Sequence, residues 1–160
     1  MKRIGILSDT HSVLDSRVAV HFKDCDEIWH AGDVGDAKVI DGLKKIAPVV
    51  RVVAGNIDRP TLAPAELTWD VEQMRVYMTH IAPRNPAART GEKVNIVVTG
   101  HSHILKIYYD REREVLCINP GAAGNYGWQT VPTLVKMVID GDHPRDLEVI
   151  ELTRHSCKNG

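Results

Sequence analysis

The sequence predicts an α/β protein in which two β-sheets pack face to face with helices outside them. Three observations lead there. Short β-rich apolar runs alternate with helical patterns through the first half, and from Leu67 onward the runs crowd together with little helix between them. The length of 160 residues suits one domain around one core.

Residues 3–7 read as the first strand, and residues 15–22 as a short helix because Leu14, Val18 and Phe22 recur at i, i+4 and i+8. A strand at 27–30 and a helix at 37–46 follow, and Pro48 stops that helix before a strand at 49–54. This is a doubly wound opening with parallel strands. Beyond it come strands at 67–71 and 74–79, a proline-bounded helix near 86–90, and a strand at 95–99. Two hairpins complete the pattern, one joining 104–109 to 115–118 and one joining 134–139 to 147–152 through a turn at 140–144. Strands that follow one another without helices imply antiparallel pairing in this half. The total is about a dozen strands. No linker or repeat divides residues 1–160, and the polar stretch 153–160 is expected to fray.

Twenty Lys plus Arg against 21 Asp plus Glu leave a formal charge of -1, which argues against a dedicated nucleic-acid surface or a polybasic membrane anchor. The apolar run Ile4 to Leu7 is too short for a signal peptide or a spanning helix, so a cytoplasmic location is expected. Cys25, Cys117 and Cys157 lie far apart without a CxxC pair, as free thiols in a reducing compartment would.

The chemistry lies where the apolar runs end. The first runs into Asp9 and His11, the second into Asp33, the third into Asn56, and two later ones into His80 and into His101 with His103. Carboxyl ends of parallel strands share one edge of an open sheet, so these side chains converge though they are scattered in sequence. Oxygen and imidazole donors without thiolate suit manganese, iron, nickel, zinc or magnesium, and seven donors exceed one tetrahedral shell. Two divalent ions sharing a carboxylate fit better, with Asp33 as the bridge. Asp9 with His11, and His101 with His103, are spaced so that both members of each pair fall on one side of an extended segment. Gly32, Gly55 and Gly100 directly precede candidate ligands and allow close backbone approach.

The series DTH at Asp9 to His11, GD at Gly32 and Asp33, GN at Gly55 and Asn56, the strand-end His80 and GHSH at Gly100 to His103 resembles the calcineurin-like metallophosphoesterases. It looks most like their compact bacterial and archaeal branch, the YfcE-type phosphodiesterases, and INPGAAG at Ile118 to Gly124 resembles that branch too. The resemblance implies a four-layer αββα sandwich of two mixed sheets flanked by helices. It also puts Asp9, His11, Asp33 and His103 on one ion and Asp33, Asn56, His80 and His101 on the other. The implied reaction is hydrolysis of a P–O bond in a small phosphate ester, most of all a diester, by in-line attack of a hydroxide bridging the two ions, manganese foremost. Asp33, Asn56, His80 and Asp58 form the implied catalytic group, with Asp58 taking a hydrogen bond from a ligand or substrate, or else facing solvent. Small members of the branch often look dimeric, which leaves a homodimer among the expectations. The other expectation is a catalytically weak scaffold that binds protein partners, as one retromer subunit of this fold does.

Two positions depart from the family pattern. Many relatives carry His after the GN pair, and the YfcE-like branch usually carries Cys, whereas Ile57 stands here and predicts weak catalysis of esters with poor leaving groups. Ile81 replaces a common glycine after His80. Arg59 and Arg84 leave the same edge and read as solvated cations before phosphate contacts. His30 reads as a packed residue beside the ligands, Asn119 as the opening of a glycine-rich turn, and His143 as a turn residue. Trp29, Trp69 and Trp128 read as core or subunit-contact residues.

Overall fold

A computed structural model of the chain describes residues 1–84, 93–124 and 131–153. Two five-stranded sheets face each other. In the first, β1 (Lys2–Leu7), β2 (Glu27–His30) and β3 (Val49–Val52) run parallel, with Ile4 opposite Glu27 and Glu27 opposite Val49. The hairpin of β9 (Thr133–Asp140) and β10 (His143–Glu151) adds to the free side of β1, giving the order β10-β9-β1-β2-β3. The second sheet is built from β4 (Glu66–Val71), β5 (Met74–Thr79), β6 (Ile96–Val98), β7 (Leu105–Asp110) and β8 (Val115–Pro120), in the order β4-β5-β6-β8-β7.

Alternation along the strands decides what each face buries. On β1, Ile4 and Ile6 point between the sheets, where they join Trp29, Val76, Met78, Ile96, Val98 and Ile118 in the main core. The opposite face of the first sheet carries Leu7 and Ile28, which pack under α1 (Arg17–Phe22) and α2 (Lys38–Lys44) through Val18, Phe22, Val39 and Leu43. Each large apolar side chain fully removed from water contributes about 1.5–3 kcal/mol. Gly5 lets the Phe22 ring lie against the strand, since a Cβ there would meet the ring at 2.8 Å. Trp29 is fully buried, donates its indole N–H to Glu27 and meets Trp69 edge to face at 5.0 Å, in line with the core assignment.

Several expectations need correction. The described residues hold ten strands, and the second sheet is not purely antiparallel, as strand spacing implied, but mixed, as the family resemblance implied: β5 pairs with β6, and β6 with β8, in parallel. The chain leaves β6 by way of β7 at the far edge and returns into β8, so a strand acts as the crossover that a helix usually makes. The β9–β10 turn is tighter than expected. Gly141 takes a positive φ of 60° and places Asp140 opposite His143, so His143 begins a strand. A bulge between Arg145 and Glu148, with Asp146 at φ 52°, hides the early part of β10 from a period-two reading. Among the described residues helices cover the first sheet alone; the helix expected near 86–90, Trp128 and most of the stretch 153–160 lie outside them.

Candidate metal centre

All seven predicted donors meet at one edge of the sandwich. Asp9 and His11 follow β1, Asp33 follows β2, Asn56 follows β3, His80 follows β5, and His101 with His103 follow β6. Ligating atoms of Asp9, His11, Asp33 and His103 lie within 4.8 Å of one another. A second group forms beside them, with His80 Nε2 at 3.0 Å from Asn56 Oδ1 and 3.3 Å from Asp33 Oδ1, and His101 Nδ1 at 3.1 Å from Asn56 Oδ1. Asp33 is common to both. Its Oδ1 faces His80, and its Oδ2 faces His11 Nε2 at 3.8 Å.

Tight chain reversals bring the donors in. Asp9, His11, Asp33, His101 and His103 all adopt positive φ, between 48° and 71°, a region that costs a residue with a Cβ free energy unless its surroundings enforce it. The surroundings here do so. Asp9 N donates to Gly32 O and His11 N to Asp33 O, which laces the first ligand loop to the second. Gly55 is required by close approach, because a Cβ there would overlap Asp33 Oδ1 and the Asp33 backbone nitrogen.

Three residues hold this frame in ways the sequence did not disclose. Asp58 neither faces solvent nor reaches the donors. Its carboxylate accepts from the backbone N–H groups of Val34, Gly35 and Gly55 at 2.8–3.0 Å, and so ties the Asp33 loop to the Asn56 loop. His30 is fully buried. It accepts from Gly32 N at Nδ1 and therefore donates from Nε2 to Thr10 Oγ1, whose hydroxyl donates on to Val34 O. That chain agrees with the packed role expected of His30, and burial pushes its pKa down to about 3, so it stays neutral. Asn119 donates from Nδ2 to Gly100 O and Ser102 Oγ, bracing the loop that carries His101 and His103. The only sequence signal for it was its place at the start of a turn.

The electrostatics fit a cation. Asp9 is wholly buried, Oδ1 accepts no hydrogen bond among the described residues, and it lies 3.2 Å from His103 Nε2. Burial pushes the Asp9 carboxyl up, opposed by the hydrogen bond from the Ser8 hydroxyl. His80 donates from Nδ1 to Ala31 O at 2.8 Å, which points Nε2 at Asn56 Oδ1 and Asp33 Oδ1. A divalent cation among these three atoms would take each of them as a ligand. The backbone bond that fixes the His80 tautomer is the kind of outer support that ligating histidines use.

The calcineurin-like phosphoesterase superfamily domain matches residues 1–142. The chain belongs to that superfamily. A probable metallophosphoesterase of Methanocaldococcus jannaschii is 32% identical over 132 residues, covering 74% of this chain and 67% of the relative. Among solved structures, Vps29 of Chaetomium thermophilum superposes with a TM-score of 0.76 at 15% identity, over 95% of this chain and 97% of that one. An archaeal phosphodiesterase superposes with a TM-score of 0.70 at 20% identity, over 92% and 99%. Both likenesses establish the two-sheet fold. Membership of the superfamily supports a phosphoester hydrolase, and the cluster of carboxylates and imidazoles suits divalent metal. No helix among the described residues is long and apolar enough to cross a membrane.

Proposed function

We propose that this superfamily member is a cytoplasmic phosphodiesterase working with two divalent ions, manganese before iron, nickel, zinc or magnesium. One observation carries the proposal: the two oxygens of Asp33 face separate donor groups, as a carboxylate bridging through both oxygens would. Asp9, His11, Asp33 and His103 would hold one ion, and Asp33, Asn56, His80 and His101 the other. When bound, the ions supply Lewis acidity, making water nucleophilic near neutral pH and offsetting charge on the phosphoryl oxygens. The chain's part is to keep the donors fixed before substrate arrives. Ile57 N donates to Asp33 Oδ1 at 3.2 Å, so this position contributes backbone polarity, while its side chain offers no proton to a leaving group. Diesters with good leaving groups are therefore the preferred substrates, and the diester preference itself rests on the resemblance to the YfcE-type branch.

The likeness to Vps29 supports the second reading, a partner-binding scaffold, and the complete set of seven donors weighs against it. Protein loaded with manganese should hydrolyse bis(p-nitrophenyl) phosphate faster than p-nitrophenyl phosphate, and chelation should abolish both activities. Turnover that ignores metal would sink the reading. Asp33→Ala should retain neither ion after dialysis; a variant that keeps one equivalent and normal activity contradicts the bridge.

A further inference from the structure

One proposed ligand, His101, stands at the edge of a larger cavity. A cavity of about 490 Å³, in the ~300–1,000 Å³ range of small-molecule sites, begins at His101 and Ser102 and runs over the outer face of the second sheet. Its floor follows strand alternation. Ile104, Lys106 and Tyr108 line it at every second position from the end of the ligand loop, each step about 7 Å long. Cys117 and Asn119 of β8, directly opposite Tyr108 and Lys106, complete that floor. A smaller cavity of about 250 Å³ holds Asn56 and His80 and shares Ile81 with the larger one, so the two adjoin at Ile81.

Ile81 and Ile104, each directly after a proposed ligand, line the cavity and are 55% and 66% exposed, and Lys106 and Arg84 bring two exposed cations to its wall. Arg113 in the cavity is matched by Asp110 at 3.4 Å, but among the described residues neither Lys106 nor Arg84 pairs with a carboxylate. Lys106 Nζ instead sits 5.1 Å from the centre of the Tyr108 ring, and that ring is half exposed. Unmatched cations beside an exposed aromatic face would meet a flat ring and an anion together.

We infer that this cavity receives the organic arm of the phosphodiester, and that the arm carries a flat ring and a second anionic group, which Lys106 and Arg84 meet. The inference rests on the phosphodiesterase reading for what occupies the neighbouring metal centre. It separates this chain's substrates from simple diesters with neutral or cationic arms, which leave both cations unmatched.

The test uses the metal-loaded full chain and two product analogues, thymidine 5′-phosphate and thymidine 3′,5′-bisphosphate, titrated in a calorimeter. The bisphosphate should bind about tenfold more tightly, the effect of one charge-assisted contact. Lys106→Gln should bring the two affinities within about twofold, and Tyr108→Leu should weaken both ligands together. Equal affinity for the two ligands in the wild-type protein overturns the inference, as does a Lys106→Gln variant that keeps the preference or a protein that binds neither. The two readings fail separately. Turnover of bis(p-nitrophenyl) phosphate without a bisphosphate preference ends the subsite alone, while the preference without turnover ends the catalytic reading alone.

Discussion

Asp58 spends its charge on three amides belonging to two loops. Asp58→Ala would strand those donors in a partly buried place, at a cost of about 3 kcal/mol, and loosen the approach of Asn56 to Asp33. We expect denaturant unfolding to register the loss and metal affinity to fall about tenfold or more, as with other supports of ligating groups. His30 makes a separate statement about acid. Its folded pKa of about 3 lies below the ordinary 6.5, so between those values the unfolded chain binds the extra proton and stability rises with pH. Above about pH 6.5 the group contributes nothing to the slope. At pH 5 its cost should be about 2 kcal/mol, and His30→Gln measured beside the wild-type protein isolates it. The donors themselves were legible in the sequence because each follows an apolar run. Asp58 was not, since its partners Val34 and Gly35 stand more than twenty positions upstream and offer only backbone.

At the level of elements, the contact between β1 and α1 is the most constrained. Gly5→Ala would drive a methyl group into the Phe22 ring, and the ring is fully buried with no room to withdraw. The expected loss is about 1–3 kcal/mol in thermal or denaturant unfolding. A neutral result would mean that α1 shifts on the sheet, which a lowered metal affinity at His11 would then report. The parallel strands β1, β2 and β3 could be read from periodicity because helices alternate with them. The parallel pairing around β6 could not, because sequence neighbours such as β7 and β8 advertise their own hairpin and conceal which strand lies between. The five donors at positive φ escaped notice because Asp and His, though enriched among non-glycine residues in the left-handed region, adopt it far less often than glycine does.

For the molecule as a whole, the buried Asp9 carboxyl, whose Oδ1 accepts no hydrogen bond among the described residues, and the close polar atoms around His80 are groups that a bound cation would satisfy. Removing metal with a chelator should therefore lower the melting temperature. At metal one hundredfold above its dissociation constant the linkage is about 2.7 kcal/mol, equivalent to roughly 5–10 °C for a chain of this size. No change in melting on chelation would count against a cation-binding centre. The face-to-face sheets were foreseen from the change of rhythm near Leu67, and the core between them follows from alternation once the sheets are placed.

The placement of β9 against β1 has a consequence for biosynthesis. Every donor has left the ribosome once His103 emerges, yet the flank of β1 opposite β2 stays open until residues 133–140 are made. A nascent chain at that stage holds all seven proposed ligands, while the strand that leads to Asp9 and His11 is bonded along one side only. Full-strength binding of a metal is therefore expected only late in synthesis, once a hairpin that supplies no proposed ligand is in place.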